Sequence, residues 1–183
     1  MCMARIPQIN DISSLNHEHH TIFESIASSR GRISGPFSIL LNSPEVAGRS
    51  AHLGSYLRFE SVIENQLLEL AIITSAREMD CDYEWAYHVL LARKAGVPES
   101  VIDIINKRSD TKDISPKFRS IVTYTRELLN LKKVTQETFD LVSDQLGIQG
   151  TTELTAAIGY YGMLACSLNA FEVMPEEETP KLF

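Results

Sequence analysis

From end to end the chain lacks sustained alternation of β-branched and polar residues, the mark of a half-buried sheet. It carries apolar stretches at helical spacing, cut by proline and glycine. That excludes sheet architectures and predicts an all-α, single-domain helical bundle. Residues 1–18 read as an irregular arm with room for a short turn, 19–173 as the helical domain, and 174–183 as a charged, proline-bearing tail. The first helix is expected over His19 to Ser29, and Phe37 to Leu41 forms a short apolar element. Ser43 and Pro44, as N-cap and first helical residue, open a helix to about Arg58. Another opens at Ser61 or Glu64 and ends near Glu78. The next runs to about Lys94, where Gly96 stops it, and Pro98 begins its successor. Residues 107–115 are polar and predict a surface loop. Helices over Pro116 to Leu131, Thr135 to Leu146 and Thr151 to Phe171 complete the bundle. Gly159 and Gly162 share a face of the last one, which predicts close approach of another helix.

The 183 residues suffice to bury a core without disulfides or metal. With 17 basic and 24 acidic side chains the net charge is −7, which disfavours nucleic acid or an anionic membrane as the main partner. Cys2, Cys81 and Cys166 are sparse and have no paired spacing, as expected for a reducing cytoplasm. No signal peptide is expected at the start, and the apolar run from Leu154 to Leu168 reads as a buried helix, too short for a membrane span. The cluster of His17, His19 and His20 lies on the arm without cysteine partners, where solvation is the simpler reading, so no metal is expected. Cys166, mid-helix among apolar neighbours, reads as inert.

The chemistry concentrates in Cys81, Glu84 and His88. Their spacing of three and four stacks a thiol, a carboxylate and an imidazole along one helix face. Upstream, Glu69 interrupts the apolar run Leu67-Leu68-Glu69-Leu70-Ala71-Ile72-Ile73, where a charge needs a reason to exist. A carboxyl in an apolar wall has a raised pKa and can serve as acid or base near neutrality. A thiol in a first helical turn is favoured as thiolate. Each residue also has a structural reading. Glu84 sits at the third helical position and can reach back to the helix start. His88 can be a hydrogen-bonded core residue, Cys81 a small buried hydrophobe, and Glu69 an ion-pair partner of Arg77 or Arg93. Tyr160, Tyr161, Trp85 and Phe37 read most simply as core aromatics, with one or two available to line a pocket.

Taken together, Glu69-x11-Cys81-x2-Glu84-x3-His88 followed by Ala92-Arg93-Lys94-Ala95-Gly96-Val97-Pro98 resembles the carboxymuconolactone decarboxylase superfamily, which includes the alkylhydroperoxidase D proteins. Leu41-Asn42-Ser43-Pro44-Glu45 and the helix Glu153 to Phe171, with Tyr161 and Asn169, are similar to its longer members. The resemblance implies an all-α subunit of the alkylhydroperoxidase D-like type, assembled as a trimer or hexamer, with a small-molecule pocket near the Cys/His helix. In the peroxide-reducing branch the positions of Cys81 and Glu84 hold a Cys-x-x-Cys pair, and Glu69 and His88 resemble its proton relay. Glu84 replaces the second cysteine here, so no internal disulfide cycle can run at this site. The decarboxylase branch needs no metal or organic cofactor. The leading expectation is a cofactor-free lyase acting by acid/base chemistry on a small carboxylated or lactone-like metabolite, with Glu69, Cys81, Glu84 and His88 as site residues. The rivals are a single-cysteine thiol oxidoreductase and a non-enzymatic oligomeric binding protein.

Overall fold

A computed structural model describes residues 4–182. The described residues form helices joined by turns, with no strand among them. The helices are α1 (His20–Arg30), α2 (Pro36–Leu40), α3 (Pro44–Phe59), α4 (Asn65–Glu78), α5 (Asp82–Lys94), α6 (Glu99–Asn106), α7 (Pro116–Arg126) and α8 (Gln136–Ala170). None is long and apolar enough to cross a membrane. The apolar run near residue 160 is instead the buried part of α8.

Helix α4 is the hub. Every residue from Leu67 to Arg77 is buried, because α5, α7 and α8 pack around it. A helix covered on all sides is apolar all round, which is why its sequence runs Leu-Leu-Glu-Leu-Ala-Ile-Ile. Glu69 is the exception, 4% exposed within this wall.

The corner between α4 and α5 follows from local chemistry. The N–H of Cys81 bonds the Ala76 carbonyl (2.9 Å), and that of Asp80 bonds Arg77 (3.2 Å). This is the paired closure of a helix ending in a left-handed residue. Asp80 takes that conformation at φ 45°, one that aspartate tolerates better than most residues. Its carboxylate is held by Arg77 and Arg108. From this corner α5 folds back along α4. The side-chain amide of Asn169 on α8 donates to the Met79 carbonyl (2.8 Å) and pins the corner in place. At the far end of α5 the same closure recurs, with Gly96 left-handed at φ 88° and Val97 bonding Ala92 (2.9 Å).

The departures from the sequence expectations are local. Ser43 stands at the N-cap, but its side chain makes no capping hydrogen bond. Pro98 precedes α6 rather than opening it. The segment expected as one helix to Leu131 changes from α to π winding at Glu127, as carbonyls bond one residue further along. The two helices expected after Thr135 form one element broken at Gly147, whose φ of 70° and ψ of 174° are non-helical. Gly159 does not serve close packing, since nothing lies within 4 Å of where its Cβ would be, and Gly162 has only Leu129 there, at 3.9 Å. A glycine that does is Gly54 on α3, against which the Tyr160 hydroxyl is seated. The described part of the arm, from Ala4, carries turns at Ile12–Ser14 and His17–His19. It is tied to the domain by backbone bonds from Arg5 to Phe171 (2.9 Å) and Ile9 to Ser38 (2.8 Å). Cys2 lies outside the described residues. Cys166 sits on the exposed face of α8 rather than among apolar neighbours.

Candidate active site

Because α4 and α5 run side by side, Glu69 and His88 meet. The Nδ1 of His88 lies 2.8 Å from Glu69 Oε2, and its Nε2 lies 3.3 Å from Glu84 Oε2. All are buried, His88 to 2% exposure. The two ring nitrogens thus face different carboxylates, Nδ1 toward Glu69 and Nε2 toward Glu84 on the cavity side. Glu69 meets His88 rather than an arginine: Arg93 pairs with Glu99, and Arg77 with Asp80 and the Asn106 carbonyl. Nor does Glu84 serve the helix start, because its carboxylate is turned to His88.

Burial pushes the Glu84 carboxyl up from its ordinary value, and Glu69 adds to the rise; the charges of His88 and Arg58 oppose it without cancelling it. The folded protein therefore keeps this proton to higher pH than the unfolded chain does. Above the unfolded pKa the native state binds more protons, so stability falls as pH rises, until the folded pKa is passed. Glu84→Gln, which cannot ionise, is expected to gain melting temperature relative to the wild type as pH rises from about 4 to about 8. A difference that stayed flat across this range would show an unperturbed Glu84.

Glu84 and His88 face a cavity of about 220 Å³. Its wall was only partly readable beforehand. Phe37, Tyr160 and Tyr161 line it, while Trp85 is sealed in the core. The rings form a chain: Tyr161 stands edge-on to His88 (5.0 Å, 82°), and Tyr160 edge-on to Tyr161 (5.3 Å, 89°). Burial holds the Tyr161 phenol well above its ordinary pKa and lifts Tyr160 to about 12, so both remain hydrogen-bond donors at neutral pH. Tyr83 and Tyr87 complete the aromatic side, with Phe59 exposed nearby.

The cations Arg30, Arg32 and Arg58 also line the cavity, and sequence reasoning missed all of them. Arg30 closes α1 and Arg58 lies in the last turn of α3, where a basic residue is ordinary because it complements the helix dipole. Nothing in the linear pattern separates such a residue from one aimed into a site. Burial works to lower the Arg58 pKa, and Tyr161, Glu69 and Tyr87 outweigh it. Arg58 is thus the cation of the His88 end.

Cys81 does not join this group. It forms the N-cap of α5 and is fully buried with Ile39, Ala165, Leu168 and Val173, outside the cavity lining. Burial lifts its thiol to about 12; the backbone N–H groups of Glu84 and Tyr83 act against this, and the nearby acidic charges with it. The expected thiolate of a first helical turn is therefore absent near neutrality. Desolvation outweighs the helix terminus here. Where the arm meets α1, the rings of His17 and His20 lie tilted to one another (4.9 Å, 42°) and His19 approaches Glu18 (3.4 Å). Among the described residues no group of three or more His, Cys, Asp or Glu is arranged to hold a metal.

Comparison with known proteins agrees with this architecture. The carboxymuconolactone decarboxylase family model matches residues 44–127, which span α3 to the end of α7. The comparison with curated proteins returns no match. Among solved structures, the alkylhydroperoxidase AhpD core of a peroxidase-related protein from Ralstonia eutropha JMP134 superposes with a TM-score of 0.76 at 15% identity, covering 97% of this chain and 95% of that one. A peroxidase-related protein from Silicibacter sp. TM1040 gives 0.74 at 14% identity, over 97% and 96%. The debrominase Bmp8, as a cysteine-to-alanine variant in complex with 2,3,4-tribromopyrrole, gives 0.75 at 13% identity, over 94% and 91%. At such identities the likeness is one of fold. The stretch that carries Glu69, Glu84 and His88 thus matches the carboxymuconolactone decarboxylase family model, and the chain as a whole has an alkylhydroperoxidase D-like fold.

Proposed function

We propose that the protein is a cofactor-free lyase that removes carbon dioxide from a small carboxylated, lactone-like metabolite by acid/base chemistry. The observation that carries this reading is the joining of a buried Glu69–His88–Glu84 relay to a cavity walled by arginines. The arginines suit an anionic substrate, and the relay suits a proton delivered at a fixed point. As the bond to the carboxylate breaks, its electron pair moves through the unsaturated ring to the lactone carbonyl oxygen. Arg58 and the Tyr161 hydroxyl are the donors available to stabilise that developing charge. Glu84, whose raised pKa keeps it loaded, gives its proton to His88 Nε2, and the imidazolium passes it to carbon. Glu84 regains a proton from solvent after product leaves. Glu69 acts as a positioning residue, holding the ring through Nδ1.

In this reading Cys81 shapes the start of α5 and takes no part in the chemistry. The test is turnover of unsaturated carboxylated lactones with release of carbon dioxide, measured without thiol or peroxide, for wild type and Cys81→Ala. Retention of turnover within about threefold is expected, together with alkylation of Cys166 but not Cys81 in the folded protein, since reactivity follows the thiolate fraction and access. Peroxide-dependent turnover that disappears in Cys81→Ala would replace the lyase reading with the thiol oxidoreductase.

A further inference from the structure

The cations around the cavity differ in what holds them. Arg32 is exposed, where water and salt screen its charge. Arg58 shares its field with Glu69 and the tyrosines. Arg30 is half-buried, yet no carboxylate among the described residues lies within ion-pairing distance of it. Among the described residues its guanidinium donates to neutral acceptors: Nη1 to Ser29 Oγ (2.7 Å) and Ser55 Oγ (3.5 Å), and Nη2 to the Ala51 carbonyl (3.2 Å). One face lies 4.2 Å over the Phe37 ring. A cation withdrawn from water costs free energy unless an anion meets it, and the space it borders is the cavity.

The side chain is also held in one place. The Tyr160 hydroxyl lies beside Arg30, near enough for each to shift the other's titration. Tyr160 is itself set by Gly54, where any Cβ would overlap the hydroxyl. With Phe37 beneath and α3 behind, the guanidinium is preorganised, which lowers the entropy lost on binding. Arg30, Phe37 and Tyr160 all lie outside residues 44–127, the stretch matched by the family model. This part of the wall is therefore supplied by the flanking helices.

We propose that Arg30 is the carboxylate-reading residue of the cavity, set in place by Tyr160 packed against Gly54, and that it makes the protein select anionic over neutral substrates. This rests on the carboxylated-substrate reading above. It assigns charge selectivity to the flanking segments and the chemical step to α4 and α5. Gly54→Ala acts at second hand, by displacing Tyr160 and with it Arg30.

The experiment is calorimetric titration of the full chain with a saturated γ-butyrolactone carboxylate and, separately, with its neutral carboxamide. The wild type is expected to prefer the carboxylate. Arg30→Gln is expected to weaken carboxylate binding by roughly 10- to 100-fold, the loss of one charge-assisted pair, while leaving carboxamide binding within about twofold. Arg30→Lys keeps the charge without the planar fork and is expected to restore part of the preference, which a purely structural role would not produce. Gly54→Ala is expected to reduce the preference without abolishing it. Should Arg30→Gln keep the wild-type preference while Arg58→Gln loses it, the Arg30 assignment is overturned and the carboxylated-substrate reading stands. A wild type that binds neither probe, or both equally, overturns both.

Discussion

His88→Gln is expected to lower turnover of the carboxylated substrate by roughly 10²- to 10⁴-fold, the range that a positioned general acid contributes. Glutamine nearly matches the size of imidazole and can still hydrogen-bond Glu69, but it has no transferable proton. The fall should therefore lie in kcat, with KM changed much less, because the arginines that meet the substrate charge are untouched. The pH dependence is diagnostic as well. The wild-type profile should fall as pH rises through the raised pKa of Glu84, whose carboxyl lies 3.3 Å from His88 Nε2. In His88→Gln, where the route from Glu84 to substrate is cut, that limb should flatten. Full turnover in this variant, measured as carbon dioxide released, would remove His88 from the chemistry and leave the cavity as a binding site.

The fold was largely legible because its signals are local. Pro44, Gly96 and the apolar spacing of α3 to α5 each encode a boundary through backbone sterics or periodicity, and the helices stand within a few residues of where these place them. The π winding after Arg126 escaped notice because a shift of one hydrogen bond leaves the apolar spacing almost unchanged. In the site, Glu69 was visible because a carboxylate in an apolar run violates burial energetics, and His88 because its spacing from Glu84 is a helical one. Arg30 and Arg58 carried no such conflict, since they sit at helix ends where a basic residue is favoured anyway. Only the packing of α1 on α3 turns them into cavity walls. Cys81 misled for a related reason. Its position in the chain promised a stabilised thiolate, while its environment is set by Ile39, Ala165 and Leu168, which arrive from α2 and α8. Local sequence reports the helix terminus and not the layers that later cover it.

Trp85→Ala is expected to destabilise the protein by about 3–5 kcal/mol, the cost of truncating a large aromatic in a close-packed core. The indole is 1% exposed and belongs to the main core cluster of α4 and its neighbours. It also lies one turn before His88 on α5, on the helix whose packing against α4 sets the 2.8 Å contact with Glu69. With a urea dependence of about 2 kcal/mol per M, a loss of about 4 kcal/mol moves the unfolding midpoint down by about 2 M, readable by circular dichroism. Function should fall before the fold does. Loosening α5 lets the imidazole leave its line with Glu69, and a misplacement of about 1 Å can cost 10²-fold in rate. Trp85→Phe, which restores most of the volume, should recover much of the stability and turnover together. A midpoint shift below about 0.5 M for Trp85→Ala would mean that α5 tolerates a cavity at its core face. The precision of the Glu69–His88 pair would then have to come from Tyr161 and Arg58 alone.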